Sequence, residues 1–316
     1  MKKLTLHLGL HRCASTTLQS VLKANRAMLA DRGIGIVLRA DMEASKALDM
    51  RAWHRRYAVD PRSWTMQSRF TEMAMEMPFE HLIVSEENLI GTMPAVSSNR
   101  VYPNLGYFLH HLKPLKKNFD LQLRFVVRRQ DRFVESVYAF RVARGMTENF
   151  RSFLSRFPPG CFDWRILTKE LDKIDMGDTS QIAVMDVWPR NMLGKGLADF
   201  VGADCEGLTS TGRGNRSVSK QSLPLLLALN RSGIMPDYSE RKSILLPVLG
   251  KRQSPSIEDL TGIFSLKDLE KIERHYRVDV EVGFTETART DFLAPYKYAN
   301  AEFLNHPTVV ATTSIW

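Results

Sequence analysis

Near the start of this 316-residue chain a glycine, an arginine and three hydroxyl residues stand close together. They are Gly9, Arg12, Ser15, Thr16 and Thr17, within Leu8-Gly-Leu-His-Arg-Cys-Ala-Ser-Thr-Thr-Leu18. One cation and several small donors just after a glycine are the materials of an anion site. Leu4, Leu6 and Leu8 alternate as in a strand that ends at Gly9, while Leu18, Val21, Leu22 and Leu29 share one helical face. Strand, tight loop and helix aim free backbone N–H groups and the positive helix end at a bound anion. A second pair of this kind lies further on. Arg128 closes the apolar run Leu121-Gln-Leu-Arg-Phe-Val-Val127, and Ser136 follows inside a helical stretch. A guanidinium fork and a hydroxyl make a good clamp for a terminal dianionic phosphate.

The loop comes close to a Walker A sequence but breaks its rule. With Gly9 as the first glycine, Ala14 takes the second glycine position, Ser15 the lysine position and Thr16 the final hydroxyl. An NTPase would thereby lose its main contact to the outer phosphates. A cysteine phosphatase is the other phosphate-cradling loop to weigh, because Cys13 lies inside. That chemistry needs an arginine six residues after the cysteine, where this chain has Gln19, and Cys13 reads better as a small buried residue.

Gly9 through Leu18 resembles the 5′-phosphosulfate loop of sulfotransferases that use 3′-phosphoadenosine 5′-phosphosulfate (PAPS), in a bacterial branch of that family. The family pattern is roughly Gly-x-x-Lys-x-Gly-Thr-Thr-x-Leu. Gly9, Ser15, Thr16 and Leu18 match or nearly match; Arg12 stands at the catalytic lysine and Ala14 at the second glycine. Arginine keeps the charge but spreads it over a fork that suits two oxygens. Alanine tolerates a positive φ poorly, so the loop is either right-handed at Ala14 or strained there. The resemblance implies that Gly9, Arg12, Cys13, Ala14, Ser15, Thr16 and Thr17 hold the phosphosulfate end, and that Arg128 and Ser136 hold the 3′-phosphate. A looser match, Gly214-Asn-Arg-Ser-Val-Ser-Lys220, adds Asn215, Arg216 and Ser217 as cofactor residues, with Arg213 and Lys220 as further cations. An ordinary helix start capped by Ser217 or Ser219 is the competing reading there.

Such an enzyme moves the sulfuryl group of PAPS to a hydroxyl or amine of a carbohydrate, lipid-linked or small-molecule acceptor and releases 3′-phosphoadenosine 5′-phosphate (PAP). Arg12 would neutralise charge on the leaving phosphate, and the chemistry requires no metal. Positioning and electrostatics carry most of the catalysis in the related phosphoryl transfers. For the base, Glu87 in Ser85-Glu-Glu-Asn-Leu89 matches the branch's Ser-x-Glu-Asn-Leu and follows a strand whose end should face the cleft. His11 is the alternative, since imidazole titrates in the useful range. The competing functions are a non-catalytic PAPS- or PAP-binding module and a P-loop small-molecule kinase.

Composition fits an intracellular enzyme. Apolar residues make up 44% of the chain and the net charge is +9, which suits an anionic ligand, an acidic glycan or peripheral contact with an anionic membrane. A nucleic-acid partner is not expected. Three scattered cysteines argue against a disulfide framework. The opening Met-Lys-Lys-Leu-Thr-Leu-His-Leu reads as a strand rather than a signal peptide, and no apolar run is long enough to span a bilayer, so a cytoplasmic location is expected.

The elements that must position these residues alternate. Besides the first strand, 81–85, 121–127 and 181–187 read as buried strands, and helical faces appear over 134–142, 194–201, 223–229 and 263–272. Alternation of this kind predicts an α/β fold with a central parallel sheet flanked by helices, as in the P-loop-like sulfotransferase architecture. Without an obvious linker, residues 1–316 read as one domain. The weakly periodic stretch 40–78 is either a packing helix pair or an acceptor-side insertion.

Overall fold

The computed structural model describes residues 1–51, 53, 62–94, 101–209, 218–234, 255–277 and 279–311. Six strands form one sheet in the order β2-β3-β1-β4-β5-β6, with every neighbouring pair parallel. They are β1 Lys2–His7, β2 Ile34–Val37, β3 His81–Ser85, β4 Phe119–Val127, β5 Ser180–Val184 and β6 Val309–Ala311. Parallel sheets are covered on both faces and read as near-continuous apolar runs. Accordingly β2 and β3 are buried at every residue, as is β1 from Leu4 onward.

His7, at the end of β1, lies level with Ser85 of β3 on one side and Arg124 of β4 on the other. β4 runs on to Val127, level with Val184 of β5. After β1 the chain builds β2 and β3 on one side, then crosses to build β4, β5 and β6 on the other. The direction of growth therefore reverses beside β1. In open α/β sheets ligands gather beyond the carboxyl ends of the strands at such a reversal, and the Gly9–Ala14 loop leaves the sheet there.

The helices are α1 Ser15–Ala24, α2 Arg26–Asp31, α3 Arg39–Ala44, α4 Arg62–Glu76, α5 Leu105–Leu112, α6 Gln130–Ala143 and α7 Phe150–Leu154. There follow α8 Arg165–Lys173, α9 Leu193–Phe200, α10 Leu223–Ser232, α11 Leu266–Glu273, α12 Glu286–Leu293 and α13 Lys297–Leu304. The chain divides into two compact units. One comprises Met1–Arg129, Gly160–Asn215 and Pro295–Trp316 and contains the sheet with α1–α5, α8, α9 and α13. In it α1 packs on α9 at a close approach, since a Cβ on Gly194 would come within 2.9 Å of Val21 Cγ2. The other comprises Gln130–Pro159 and Arg216–Ala294 and contains α6, α7 and α10–α12. Its core includes the rings of Tyr138, Phe150, Phe153 and Phe284. Beside them the fully buried Asp131 pairs with Arg289, which also reaches Glu135 at 3.2 Å.

Some elements differ from the sequence pattern. The apolar face of Leu18, Val21, Leu22 and Leu29 is shared by two helices that break at Asn25. There the side-chain amide donates to Val21 O at 2.8 Å and Oδ1 accepts from Thr209 N–H at 2.8 Å, a local bond that competes with the helix. β5 stops at Val184, and Met185–Val187 turns as a 3-10 helix instead of extending the strand. The 40–78 stretch supplies most of α3 and all of α4. Among the described residues no helix is long and apolar enough to cross a membrane.

Candidate functional site

The loop after β1 first follows β4: Leu8 N–H donates to Arg124 O at 2.9 Å and Leu10 N–H to Val126 O at 3.3 Å. It then turns sharply, with Cys13 N–H on Leu10 O at 3.0 Å. Arg12 and Ala14 are both left-handed, at φ 67° and 64°. Of the two alternatives for Ala14, strain is the one realised. A non-glycine residue there costs about 1–2 kcal/mol, and strain of this kind collects at functional loops.

Ala14 is also the residue before α1, and no side chain caps the helix. The first N–H groups of a helix have no partner within it, and α1 carries no acidic residue in its first turn. Ser15 is 5% exposed and its Oγ has no hydrogen-bond partner. Gly9 is required by space rather than by φ: a Cβ there would lie 2.5 Å from Ser15 Oγ and 2.7 Å from His7 Nε2. Thr16 and Thr17 occupy the same first turn of α1.

Cys13 is fully buried beneath the loop. Burial pushes its thiol up to about 12; Arg128 and Arg12 pull the other way and Asp186 adds to the rise. The thiol therefore stays protonated and is no phosphatase nucleophile. The same interactions show that Arg12, Arg128 and Asp186 all bear on one buried atom, from the loop, the end of β4 and the turn after β5. Trp164 Nε1–H donates to Arg128 O at 2.9 Å and pins the end of β4. Arg128 Nε is buried without a partner.

The two candidate bases have different surroundings. His11 is 6% exposed; its Nε2 lies 3.1 Å from Asn88 Oδ1 and its Nδ1 3.0 Å from the Tyr102 hydroxyl. Asn88 Nδ2 donates to Glu86, so its Oδ1 faces His11, Nε2 carries the imidazole proton and Nδ1 accepts from Tyr102. Tyr102 in turn accepts from His11 N–H at 2.8 Å. Burial lowers the His11 pKa against the opposing pull of Asn88, Glu87 and Glu86. Its ring is thus neutral but engaged at both nitrogens. Glu86 anchors the far end of this chain of bonds. It is 1% exposed and accepts from Arg39 through both oxygens, at 2.5 and 3.1 Å. Burial raises its pKa, but the bonds from Arg39 and Asn88 outweigh that and hold it below the ordinary range. Glu87 accepts from Gln19 Nε2 at 3.0 Å, stands 4.0 Å from Arg39 and is 23% exposed. Of the two neighbouring carboxylates, Glu86 is built into the structure and Glu87 has room to act.

The structure thus brings Gly9, His11, Arg12, Cys13, Ala14, Ser15, Thr16, Thr17, Glu87 and Arg128 to the carboxyl side of one sheet. Ser136 lies in α6, within the other unit. Asn215, Arg216 and Ser217 lie outside the described residues. Lys220 donates to Phe284 O at 3.0 Å and stands 3.9 Å from Glu135, and Ser219 caps the turn that precedes α10. Sequence reasoning missed Arg39, Tyr102 and Asp186. None shares a spacing with the loop, and only strand order brings them to it. No family model, no curated protein and no solved structure matches the chain.

Proposed function

We propose that the chain is a PAPS-dependent sulfotransferase that sulfates a hydroxyl or amine of a carbohydrate, lipid-linked or small-molecule acceptor. The observation that carries this reading is the loop. A strained turn leads into an uncapped α1 and holds a buried hydroxyl without a partner at Ser15, and the charges of Arg12 and Arg128 both act on the buried Cys13 thiol. Unsatisfied buried donors are costly unless a ligand completes them, and these all suit anionic oxygens. PAPS, when bound, supplies the sulfuryl group. The N–H groups of Ala14, Ser15 and Thr16 and the Ser15, Thr16 and Thr17 hydroxyls would hold its phosphosulfate, with Gly9 and Cys13 keeping the floor compact. Arg12 would neutralise the leaving phosphate and Arg128 would hold the 3′-phosphate. Glu87 would accept the acceptor's proton, with His11 positioning the loop through Tyr102 and Asn88.

A second reading, a small-molecule kinase, is favoured by one observation: Asp186 follows β5 and bears on the loop's Cys13. A ligand that binds only the folded chain raises its melting temperature, so nucleotides separate the readings. PAP should bind at least about 100-fold more tightly than AMP, close to 3 kcal/mol, because AMP leaves Arg128 desolvated and unpaired. Equal stabilisation by PAP and AMP would sink the sulfotransferase reading, and stabilisation by ATP with Mg²⁺ alone would favour the kinase.

A further inference from the structure

Three arginines stand at the C-terminal end of α6, in the unit that lacks the sheet. Arg141 lies in the last turn and Arg144 one helical turn further on, which places their Cβ atoms about 5–6 Å apart. The third, Arg156, follows α7 and pairs with Glu148. The Tyr138 hydroxyl donates to Glu148 O at 3.1 Å and so holds that pair against α6, one turn before Arg141. The three charges act on one another: burial lowers the Arg141 pKa, and Arg144 and Arg156 add to the effect.

Cations at a helix C-terminus usually serve the dipole and the last carbonyls. Here those carbonyls are already met. Arg141 O accepts from Met146 N–H at 3.0 Å, and Val142 O accepts from Gly145 N–H at 3.0 Å and from Asn230 Nδ2 at 2.8 Å. Asn230 Nδ2 also donates to Met146 O at 2.7 Å, and Arg231 Nε to Thr147 O at 2.8 Å. The Arg141 guanidinium is left over. Among the described residues its side chain has no hydrogen bond and no ion pair. Its Nε is buried, but its two terminal nitrogens reach the surface, and Arg144 and Arg156 are exposed. A guanidinium cannot shed its proton, so an unpaired one beside two others weakens the fold unless an anion joins them.

We propose that this end of α6 binds the phosphate group of a soluble phosphomonoester, through the terminal nitrogens of Arg141 and the guanidinium groups of Arg144 and Arg156. A guanidinium fork meets two oxygens side by side. One fork therefore satisfies a carboxylate, whereas a phosphate has a third oxygen and a second charge for the neighbouring forks. Every cation between residues 130 and 159 is an arginine, the residue suited to forked contacts, and none is a lysine. Arg144 rests over the Phe140 ring, 5.3 Å from its centroid, which steadies its fork. The group is compact, and that fits a single phosphate better than the spread of charge on a membrane.

The test titrates the whole chain, labelled with ¹⁵N in its arginines, with inorganic phosphate at constant ionic strength while the arginine Nε–H signals are followed by NMR. The Arg141 signal is the one that disappears in Arg141→Met. It should move saturably, with a millimolar dissociation constant, and chloride should not move it. Arg144→Gln should weaken phosphate at least about tenfold, the worth of one charge-assisted hydrogen bond; an unaltered response would mean that phosphate acts from elsewhere, such as the Gly9–Ala14 loop, and overturns the proposal. Arg141→Met, which keeps the length of the side chain and removes its charge, should not lower the urea midpoint of the phosphate-free chain. A clear loss of stability there would make Arg141 a structural residue and overturns the proposal too. So does a chain that binds phosphatidylcholine vesicles containing phosphatidic acid while free phosphate leaves the Arg141 signal unmoved.

Discussion

Arg12 holds the position on which catalysis would turn, and its backbone is left-handed at φ 67°. Guanidinium charge spread over a fork can meet two oxygens at once, where a lysine would meet one. If it neutralises the leaving phosphate, Arg12→Ala should slow PAP release from PAPS by about 10²-fold or more, the usual loss for one charge-stabilising donor. PAP affinity should fall less, because the α1 N–H groups and Arg128 remain. Arg12→Lys should retain or raise the rate. In the same assay Glu87→Gln should lose turnover and keep PAP affinity, since the amide fills the place but cannot take the proton. An unchanged rate in Arg12→Ala would remove Arg12 from the mechanism and leave a nucleotide-binding module. Residue types could be read here, but residue partners could not. Nothing in the sequence says that His11 is tied at both nitrogens or that Glu86 rather than Glu87 takes Arg39, because those bonds join separate segments.

At the scale of the element, the loop between β1 and α1 holds a residue with too little space for change and one with the wrong shape. Gly9 has no positive φ, yet its Cα faces Ser15 Oγ and the His7 ring closely enough to exclude a Cβ. Ala14 has a Cβ but sits at φ 64°, where glycine would be relaxed. Substitutions at the two positions should therefore act in opposite directions. Gly9→Ala should destabilise, by about 1–3 kcal/mol as in overpacked cores, whereas Ala14→Gly should stabilise by up to about 1 kcal/mol after the added chain entropy of glycine. Urea titration of both variants decides it; a loss in Ala14→Gly would mean that the left-handed turn is not a source of strain. The main strands were legible for a related reason. Runs such as His81–Ser85 and Leu121–Val127 are long and apolar enough to declare themselves, the second falling inside β4. β2 and β6 are not, being four and three residues long, and β2 contains Gly35, whose lack of a side chain admits the Phe79 ring. Sheet neighbours pair segments far apart in sequence, so strand order, and with it the approach of Asp186 to Cys13, had no signature.

The whole molecule is divided into units that composition does not mark. Their boundaries fall at Arg129/Gln130, Pro159/Gly160, Asn215/Arg216 and Ala294/Pro295, and the Gly-, Pro- or Ser-bearing stretches among them are too short to read as linkers, which is why the chain reads as one domain. The sheet-bearing unit has a property of its own. Its strands bury histidines: His7 bonds Ser85 Oγ at 2.9 Å, and His81 bonds Thr5 Oγ1 at 2.8 Å. Burial lowers each from 6.5 to about 4, with Lys3 and Arg124 adding to the effect on His81. Above the unfolded value both states are neutral and neither ring affects stability. Below it the unfolded chain binds protons that the folded chain refuses, so stability falls with pH and levels off only near pH 4. At about pH 5 each ring should cost about 2 kcal/mol relative to about pH 7, a large share of the 5–15 kcal/mol or so typical of a domain. Unfolding free energies from urea titration at the two pH values should differ by about 4 kcal/mol from these two residues together. In His81→Gln, which keeps a polar partner for Thr5 but cannot titrate, the difference should shrink by about half. A wild-type chain equally stable at both pH values, or a His81→Gln variant with an unaltered pH dependence, would show that the sheet's histidines are not what makes it acid-sensitive.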